Sequence, residues 1–395
     1  MLTRAETGRQ HDKAARALIP FISDNAARIE SERCLPADLL DALHKERLFH
    51  MLVPSDIGGE ECDLITFFKA VEAVASADAS AGWCVGQGCG VSMASAYLER
   101  DIAREIFGGP RSVTASGPNN RGARAVKIKG GYHVTAQWFY CSGSRHSDWL
   151  GGHCLVYDED GTPLKNKDGK PVERTMLFPK SQAKVTDDWQ VMGLRGTGSD
   201  SYEVTDLFVP EDYTYTRDAA ADRRVSNPLY EHFTGFNIFG LSFSAVALGI
   251  ARATLDEFIA LASKKSPQSA QGQWTLAENA VIQSKVAVAE ARLRSARGFV
   301  LDIYGRLWEM AEQGQPFSLQ DKAEMRLAST FAMNEGREVV DFAYHAAGGT
   351  AIFQKNPFER RFRDINCASQ QGQASQANFE VIGQVYLGMQ PKGRI

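Results

Sequence analysis

The sequence predicts a mainly α-helical protein in which a small β-domain is inserted between an N-terminal helical domain and a C-terminal four-helix bundle. Two changes of period carry this prediction. Helical spacing of apolar residues gives way after Ser112 to short β-segments separated by Gly, Pro, Asn and Asp, and helical spacing returns beyond Pro228. The third observation is the stretch from Gly131 to Tyr157. It reads as two strands rich in Tyr, Val, Thr, Trp and Phe, joined by a polar corner from Cys141 to Ser147 whose Ser-Gly-Ser supplies the turn. The expected domains are residues 1–111, 112–225 and 226–395.

Residues 3 to about 31 are Ala-rich, with Ala14, Leu18, Phe21 and Ile22 on one side of a helix. Pro36 stands at the first position of a second helix, whose Leu39, Leu43 and Leu48 are spaced for burial. Pro54 to Gly59 is a loop, Leu64 to Ala77 is a helix, and Asp78 starts another that runs through Trp83 to about Tyr97. This domain ends near Gly108-Gly109-Pro110. β-Segments are expected at 111–117, 125–129, 132–140, 149–157, 174–178 and 202–209, forming a compact barrel or sandwich. Asp158 to Lys170 is a charged excursion, read as an exposed hairpin. Long helical segments at 239–262, 276–312, 319–347 and 365 to about 387 then make the bundle, interrupted by the glycine-rich run from Gly348 to Phe353.

The chain's 395 residues hold two or three domains and a large core. With 44% hydrophobic and 23% charged residues and a net charge of −4, it offers no basic face for nucleic acid. The N-terminus has no apolar leader region, and no run of about twenty apolar residues marks a membrane span. Its seven cysteines are odd in number, scattered and without a CxxC pair, which suits reduced thiols in the cytoplasm. They do not combine with histidines at zinc-ligand spacing, so no metal site is expected.

Helical domain, β-domain and four-helix bundle in that order resemble the acyl-CoA dehydrogenase superfamily. Trp189, Gly193, Arg195, Thr197, Ser199, Asp206 and Pro210 are similar to that superfamily's W-x-x-x-G-x-R-x-T-x-S run and its closing D-V-x-V-P. The Trp138 strand and its corner resemble the flavin-facing segment. Gly348, Gly349 and Thr350, followed by Arg363-Asp364, resemble the bundle segment that touches flavin, often from a neighbouring subunit. True acyl-CoA dehydrogenases carry a catalytic glutamate shortly after the Arg-Asp pair. Here the stretch from Asn366 to Ser375 holds no carboxylate, and glutamine cannot take the substrate proton. Trp138, Phe139, Ser142, Gly143, His146 and Trp149 are instead similar to the W-x-F-x-S-G-x-x-H-x-x-W pattern of the oxygenase components of two-component (group D) flavin-dependent monooxygenases, with one extra residue before Ser142.

The resemblance implies an oxygenase that takes reduced FAD or FMN from a separate NAD(P)H-flavin reductase. It would form the flavin C4a-hydroperoxide with O2 and oxygenate a small, aromatic or heteroatom-containing substrate, as a homotetramer. No GxGxxG follows a strand, so the chain has no site of its own for the nicotinamide nucleotide. Trp138, Tyr140, Cys141, Ser142, Gly143, Arg195, Thr197, Ser199, Gly348, Gly349 and Thr350 would then meet the flavin. Trp83, Ser116, Phe353 and Gln371 would meet the substrate, and Ser142, His146, Gln371 and Ser116 would take part in the chemistry. Each has a plainer reading. Ser142 can be a turn serine, Trp138 a core aromatic, His146 a corner-stabilising histidine, Ser116 a strand-end residue, and the glycine pair a helix C-cap. Phenol-hydroxylating members carry a histidine where this chain has Gln371, so either the substrate needs no deprotonation or His146, His232 or His345 serves. Two rival functions stay open: an acyl-CoA dehydrogenase or flavin oxidase with a displaced base, and a non-catalytic scaffold.

Overall fold

Pro20 divides the N-terminal helical stretch. In the computed structural model, which describes residues 4–118, 122–267 and 272–395, it separates α1 (Arg4–Ala17) from α2 (Ile19–Glu32). Pro36 lies just outside α3 (Ala37–Lys45) rather than within its first turn. Two aspartates start the next helices. Asp63 accepts from the Thr66 amide at 2.8 Å to cap α4 (Leu64–Ala77), and Asp78 accepts from the Ala81 amide at 3.0 Å to cap α5 (Ala79–Ser92). A 3₁₀ stretch, Met93–Tyr97, carries α5 onward, and α6 (Arg100–Phe107) closes this region. A Cβ added at Gly86 of α5 would stand 1.8 Å from the Ser242 hydroxyl, so the glycine lets the long bundle helix come close.

Among the described residues, eight strands form one curled sheet: β1 (Thr114–Gly117), β2 (Arg124–Ile128), β3 (Gly131–Trp138), β4 (Trp149–Tyr157), β5 (Glu173–Pro179), β6 (Lys184–Thr186), β7 (Ser201–Pro210) and β8 (Thr214–Tyr215). The strand order is β6-β7-β3-β2-β4-β5-β8. β1 and β2 both run parallel to β4, pairing with its first and last residues respectively. The short β6 and β8 escape the sequence reading, being too brief to show a period. Inside the curl, Trp138 is fully buried against Phe178 and Tyr202, and its indole N–H donates to the His153 carbonyl at 3.2 Å. Gly117 and Gly152 make its slot: a Cβ would lie 2.3 Å from the Trp138 side chain at the first and 2.1 Å at the second. The expected 158–170 excursion is an exposed ribbon held by bridges from Tyr157 to Pro163 and Lys165 to Pro171.

After the short α7 (Pro228–His232), the bundle consists of α8 (Gly235–Ala262), α9 (Ala280–Glu312), α10 (Leu319–Ala347), α11 (Pro357–Ala368) and α12 (Ala377–Tyr386). Capping boxes at Thr234 and Ser318 start α8 and α10. The fourth segment is not one helix. Gln371 takes an extended conformation and its side-chain oxygen accepts from the Gln373 amide at 2.5 Å, so a non-helical turn separates α11 from α12. By length and composition α8 could cross a membrane, but 83% of its most apolar stretch is buried inside the protein, where it packs on α4, α5 and α10.

Candidate functional site

The α5 helix, the corner after β3, the 189–199 loop, the first turns of α8 and the break between α11 and α12 enclose a cavity of about 740 Å³. That volume suits an organic ligand of cofactor size. The walls are mainly apolar and aromatic. Trp83 and Phe243 stack at 4.0 Å with 11° between their planes, and Phe239 lies 6.0 Å from Phe243. On the corner side Tyr140, held at φ 59°, meets the Trp189 ring edge-on at 6.2 Å.

A chain of hydroxyls lies along this wall. The Trp83 indole N–H donates to Ser142 Oγ at 3.0 Å, Ser142 Oγ lies 2.7 Å from Ser199 Oγ, and Ser199 Oγ lies 2.6 Å from Thr197 Oγ1. Thr197 donates its one proton to the Leu194 carbonyl at 2.8 Å. A hydroxyl has a single hydrogen, so the polarity follows: Ser199 donates to Thr197, and Ser142 donates to Ser199. Ser142 therefore turns a lone pair, not a proton, toward the cavity. Ser116 also lines the cavity, and its buried Oγ has no hydrogen-bond partner.

Trp83, Ser116, Tyr140, Ser142, Thr197, Ser199 and Gln371 are thus brought together. Others are not. Trp138 lies behind the wall in the sheet core, and Cys141 is buried beside it; burial holds its thiol protonated. Gly143, at φ 83°, shapes the corner without lining the cavity. Arg195 points outward, donating to the Val191 carbonyl at 2.9 Å and pairing with Glu30. Gly348, Gly349, Thr350 and the exposed Phe353 lie past the C-terminal end of α10, where Lys265 donates to the Ala347 carbonyl and to Thr350. From Arg326, which lines the cavity, α10 runs about 30 Å to that end. Gln371 lines the cavity, but its side-chain oxygen is spent on its own turn.

His146 faces a separate side pocket shared with His44 and Cys34. Its ring nitrogens are buried with no partner, its ring packs 5.9 Å from Phe49, and burial pushes it down to about 3. A neutral, unbonded imidazole behind the corner neither relays protons into the main cavity nor braces the corner by hydrogen bonds. Residues the sequence reading missed include Phe239, Phe243, Tyr97, Tyr215 and Arg326. Phe236, Phe239 and Phe243 share one helical face, a signal identical to that of ordinary core.

The acyl-CoA dehydrogenase N-terminal domain family matches residues 7–100, and the acyl-CoA dehydrogenase C-terminal domain family matches residues 241–375. Over 381 residues, 96% of this chain and 94% of the relative, the sequence is 32% identical to indole-3-acetate monooxygenase of Pseudomonas putida. The chain belongs to the acyl-CoA dehydrogenase superfamily. It is 28% identical to the flavin-dependent monooxygenase oxygenase subunit HsaA of Rhodococcus jostii, over 89% of this chain and 91% of that one. Its fold is that of XiaF from Streptomyces sp., solved with FADH2 and glycerol (TM-score 0.90, 22% identity, 99% of this chain and 98% of that chain). HsaA from M. tuberculosis follows with a TM-score of 0.88 at 24% identity over 98% and 99%. Within the superfamily, this chain is a flavin-dependent monooxygenase.

A flavin is the cofactor of such an enzyme, and the cavity fits its ring system. Trp83, Tyr140 and Trp189 supply flat apolar walls, while the Ser142 lone pair and the unpartnered Ser116 hydroxyl supply polar contacts. Among the described cavity-lining residues the one carboxylate is Asp218, and it is engaged: it accepts from the Gly235 amide at 3.2 Å and pairs with Arg394 at 3.4 Å. No free carboxylate on this wall stands ready to take a proton from a thioester.

Proposed function

We propose that this cavity receives reduced FAD or FMN against the Ser142 wall and an aromatic substrate beside it, into which the enzyme inserts one atom of O2. When bound, the flavin supplies the two electrons that make O2 reactive. The chain's own residues bind, orient and exclude water. Trp83, Tyr140 and Trp189 wall off the ring, and the hydroxyl chain from Ser142 to Thr197 fixes where hydrogen is donated and accepted. Ser116 offers a free hydroxyl to either ligand. The observation that carries this reading is the polarised hydroxyl chain in an apolar cavity whose one carboxylate is already paired.

Relatives are named oxygenase subunit or oxygenase component, which supports a separate reductase as the source of reduced flavin. Exposed apolar Val281, Val288, Ile352 and Leu387 support a homo-oligomer, and a tetramer would allow Gly348, Gly349, Thr350 and Phe353 to meet a neighbouring subunit's flavin. The free cysteines suit a cytoplasmic enzyme. Mixing the anaerobic protein–reduced flavin complex with O2 tests the reaction. The expected result is a lag between O2 consumption and the return of oxidised-flavin absorbance, with one atom of ¹⁸O2 recovered in product. Immediate oxidised flavin with stoichiometric H2O2, in the presence of substrates, would refute it.

A further inference from the structure

The cavity's other end is cationic. Arg326 of α10 reaches into it, and its Nε is buried without a hydrogen-bond partner. Its other nitrogens donate to the Arg394 carbonyl and, at 2.6 Å, to Asn378 Oδ1, both neutral acceptors. The guanidinium of Arg326 lies 4.7 Å from the Phe236 ring centroid, and that of Arg394 lies 4.5 Å from the same ring. Arg217 lines the cavity at its exposed rim. The nearby carboxylates serve the outer two arginines: Asp218 is 3.4 Å from Arg394, and Glu173 is 3.9 Å from Arg217. Arg326 alone is left without an acid. A guanidinium drawn out of water against apolar walls is costly unless a counter-ion completes it.

The distance to the reactive wall is set by α8. Phe236, Phe239 and Phe243 follow at intervals of three and four residues on one face, so Phe236 and Phe243 are about 10 Å apart along the axis. Phe243 stacks on Trp83, whose N–H bonds Ser142. A row of aromatic rings therefore leads from the guanidinium to the hydroxyl chain, over the length of a fused bicyclic ring with a short acidic side chain.

We propose that this enzyme's substrate is a planar aromatic carboxylic acid, its ring lying along Phe239 and Phe243 and its carboxylate received by Arg326 with Arg217. A small turn of the Arg326 side chain would bring its buried, unpartnered Nε and the second hydrogen of the adjacent Nη to the cavity as a side-on fork for the two carboxylate oxygens. Arg217 and Arg394 at the rim draw the anion toward the mouth. This inference rests on the cavity being the oxygenase's substrate site. The phosphate of the flavin is the other anion that these arginines could take, and comparing FMN with riboflavin separates the two.

The test is binding of indole-3-acetate and its uncharged analogue indole-3-acetamide to the full chain loaded with reduced flavin, measured anaerobically by equilibrium dialysis. The expected result is that the acid binds about ten to a hundred times more tightly than the amide. Arg326→Gln should abolish that preference while leaving the amide's affinity and the reduced-flavin affinity in place, and Arg326→Lys should restore part of it. Should Arg326→Gln unfold the C-terminal segment, Arg217→Gln should still lower the acid preference severalfold. Equal affinity for acid and amide, or no binding of either, overturns the proposal. So does a drop in FMN affinity, with riboflavin unaffected, in place of the lost acid preference, since that assigns the arginines to the flavin phosphate. Product analysis separates the two readings: acid preference without oxygenated product unseats the reaction, and product without acid preference unseats the anion site.

Discussion

Ser142 has one proton to give, and the bonding around it directs that proton to Ser199. The consequence for a cavity ligand is selective. A nitrogen bearing hydrogen, as in reduced flavin, can donate to the Ser142 lone pair, whereas the bare ring nitrogen of the oxidised form meets an acceptor. Ser199→Ala removes the acceptor that holds the Ser142 proton and frees the hydroxyl to rotate. The expected outcome is a fall of about fivefold in the ratio of reduced- to oxidised-flavin affinity, equivalent to one hydrogen bond of about 1 kcal/mol. Anaerobic and aerobic flavin titrations read it directly, and an unchanged ratio would remove the polarity argument. His146 shows the limit of motif reading at this scale. It occupies the motif position, yet its burial and its place behind the corner leave it neutral and unbonded.

At the scale of elements, the wall depends on how closely β1 and β4 grip Trp138. The side chain fills the space that Gly117 and Gly152 leave open, and Trp138 directly precedes the corner carrying Tyr140 and Ser142. Gly152→Ala would place a Cβ 2.1 Å from the indole, closer than any relaxation of backbone alone can absorb. It should cost ~3 kcal/mol or more and misplace the corner, seen as a lowered urea midpoint together with weakened flavin binding. A variant with unchanged midpoint would mean the indole has room that the packing does not show. Elements bounded by strong local signals were legible in the sequence: Asp78 announces α5, and the shift to period two announces the sheet. The break after α11 was not. Its cause is Gln371 bonding its own turn, and glutamine carries no turn preference of the strength of glycine or proline. The parallel pairing of β1 and β2 with β4 was also out of reach, because register between segments distant in sequence leaves no local pattern.

Across the whole molecule, three regions meet at two buried acids. Asp364 of α11 accepts from the Leu194 amide at 2.7 Å, fixing the loop that carries Thr197 and Ser199, and Asp78 caps α5, which carries Trp83. The sequence showed the Arg363-Asp364 pair as a motif; that its aspartate holds the 189–199 loop could not be read without the fold. Burial, then repulsion from Asp78, pushes Asp364 up to about 7. Unfolded, an aspartate releases its proton near pH 4, so between about pH 4 and 7 the folded state holds a proton that the unfolded state has lost. Stability from this group is therefore present below about pH 4, declines as pH rises toward 7, and stays lost above it. Asp364→Asn keeps an oxygen for the Leu194 amide and removes the charge. It should be more stable than the parent at pH 8 by on the order of 1–3 kcal/mol and little different at pH 4.5. Urea midpoints of both proteins at pH 4.5, 6 and 8 decide the matter. The difference should open steadily with pH, and parallel midpoints would show that Asp364 is ionised without penalty in the folded protein.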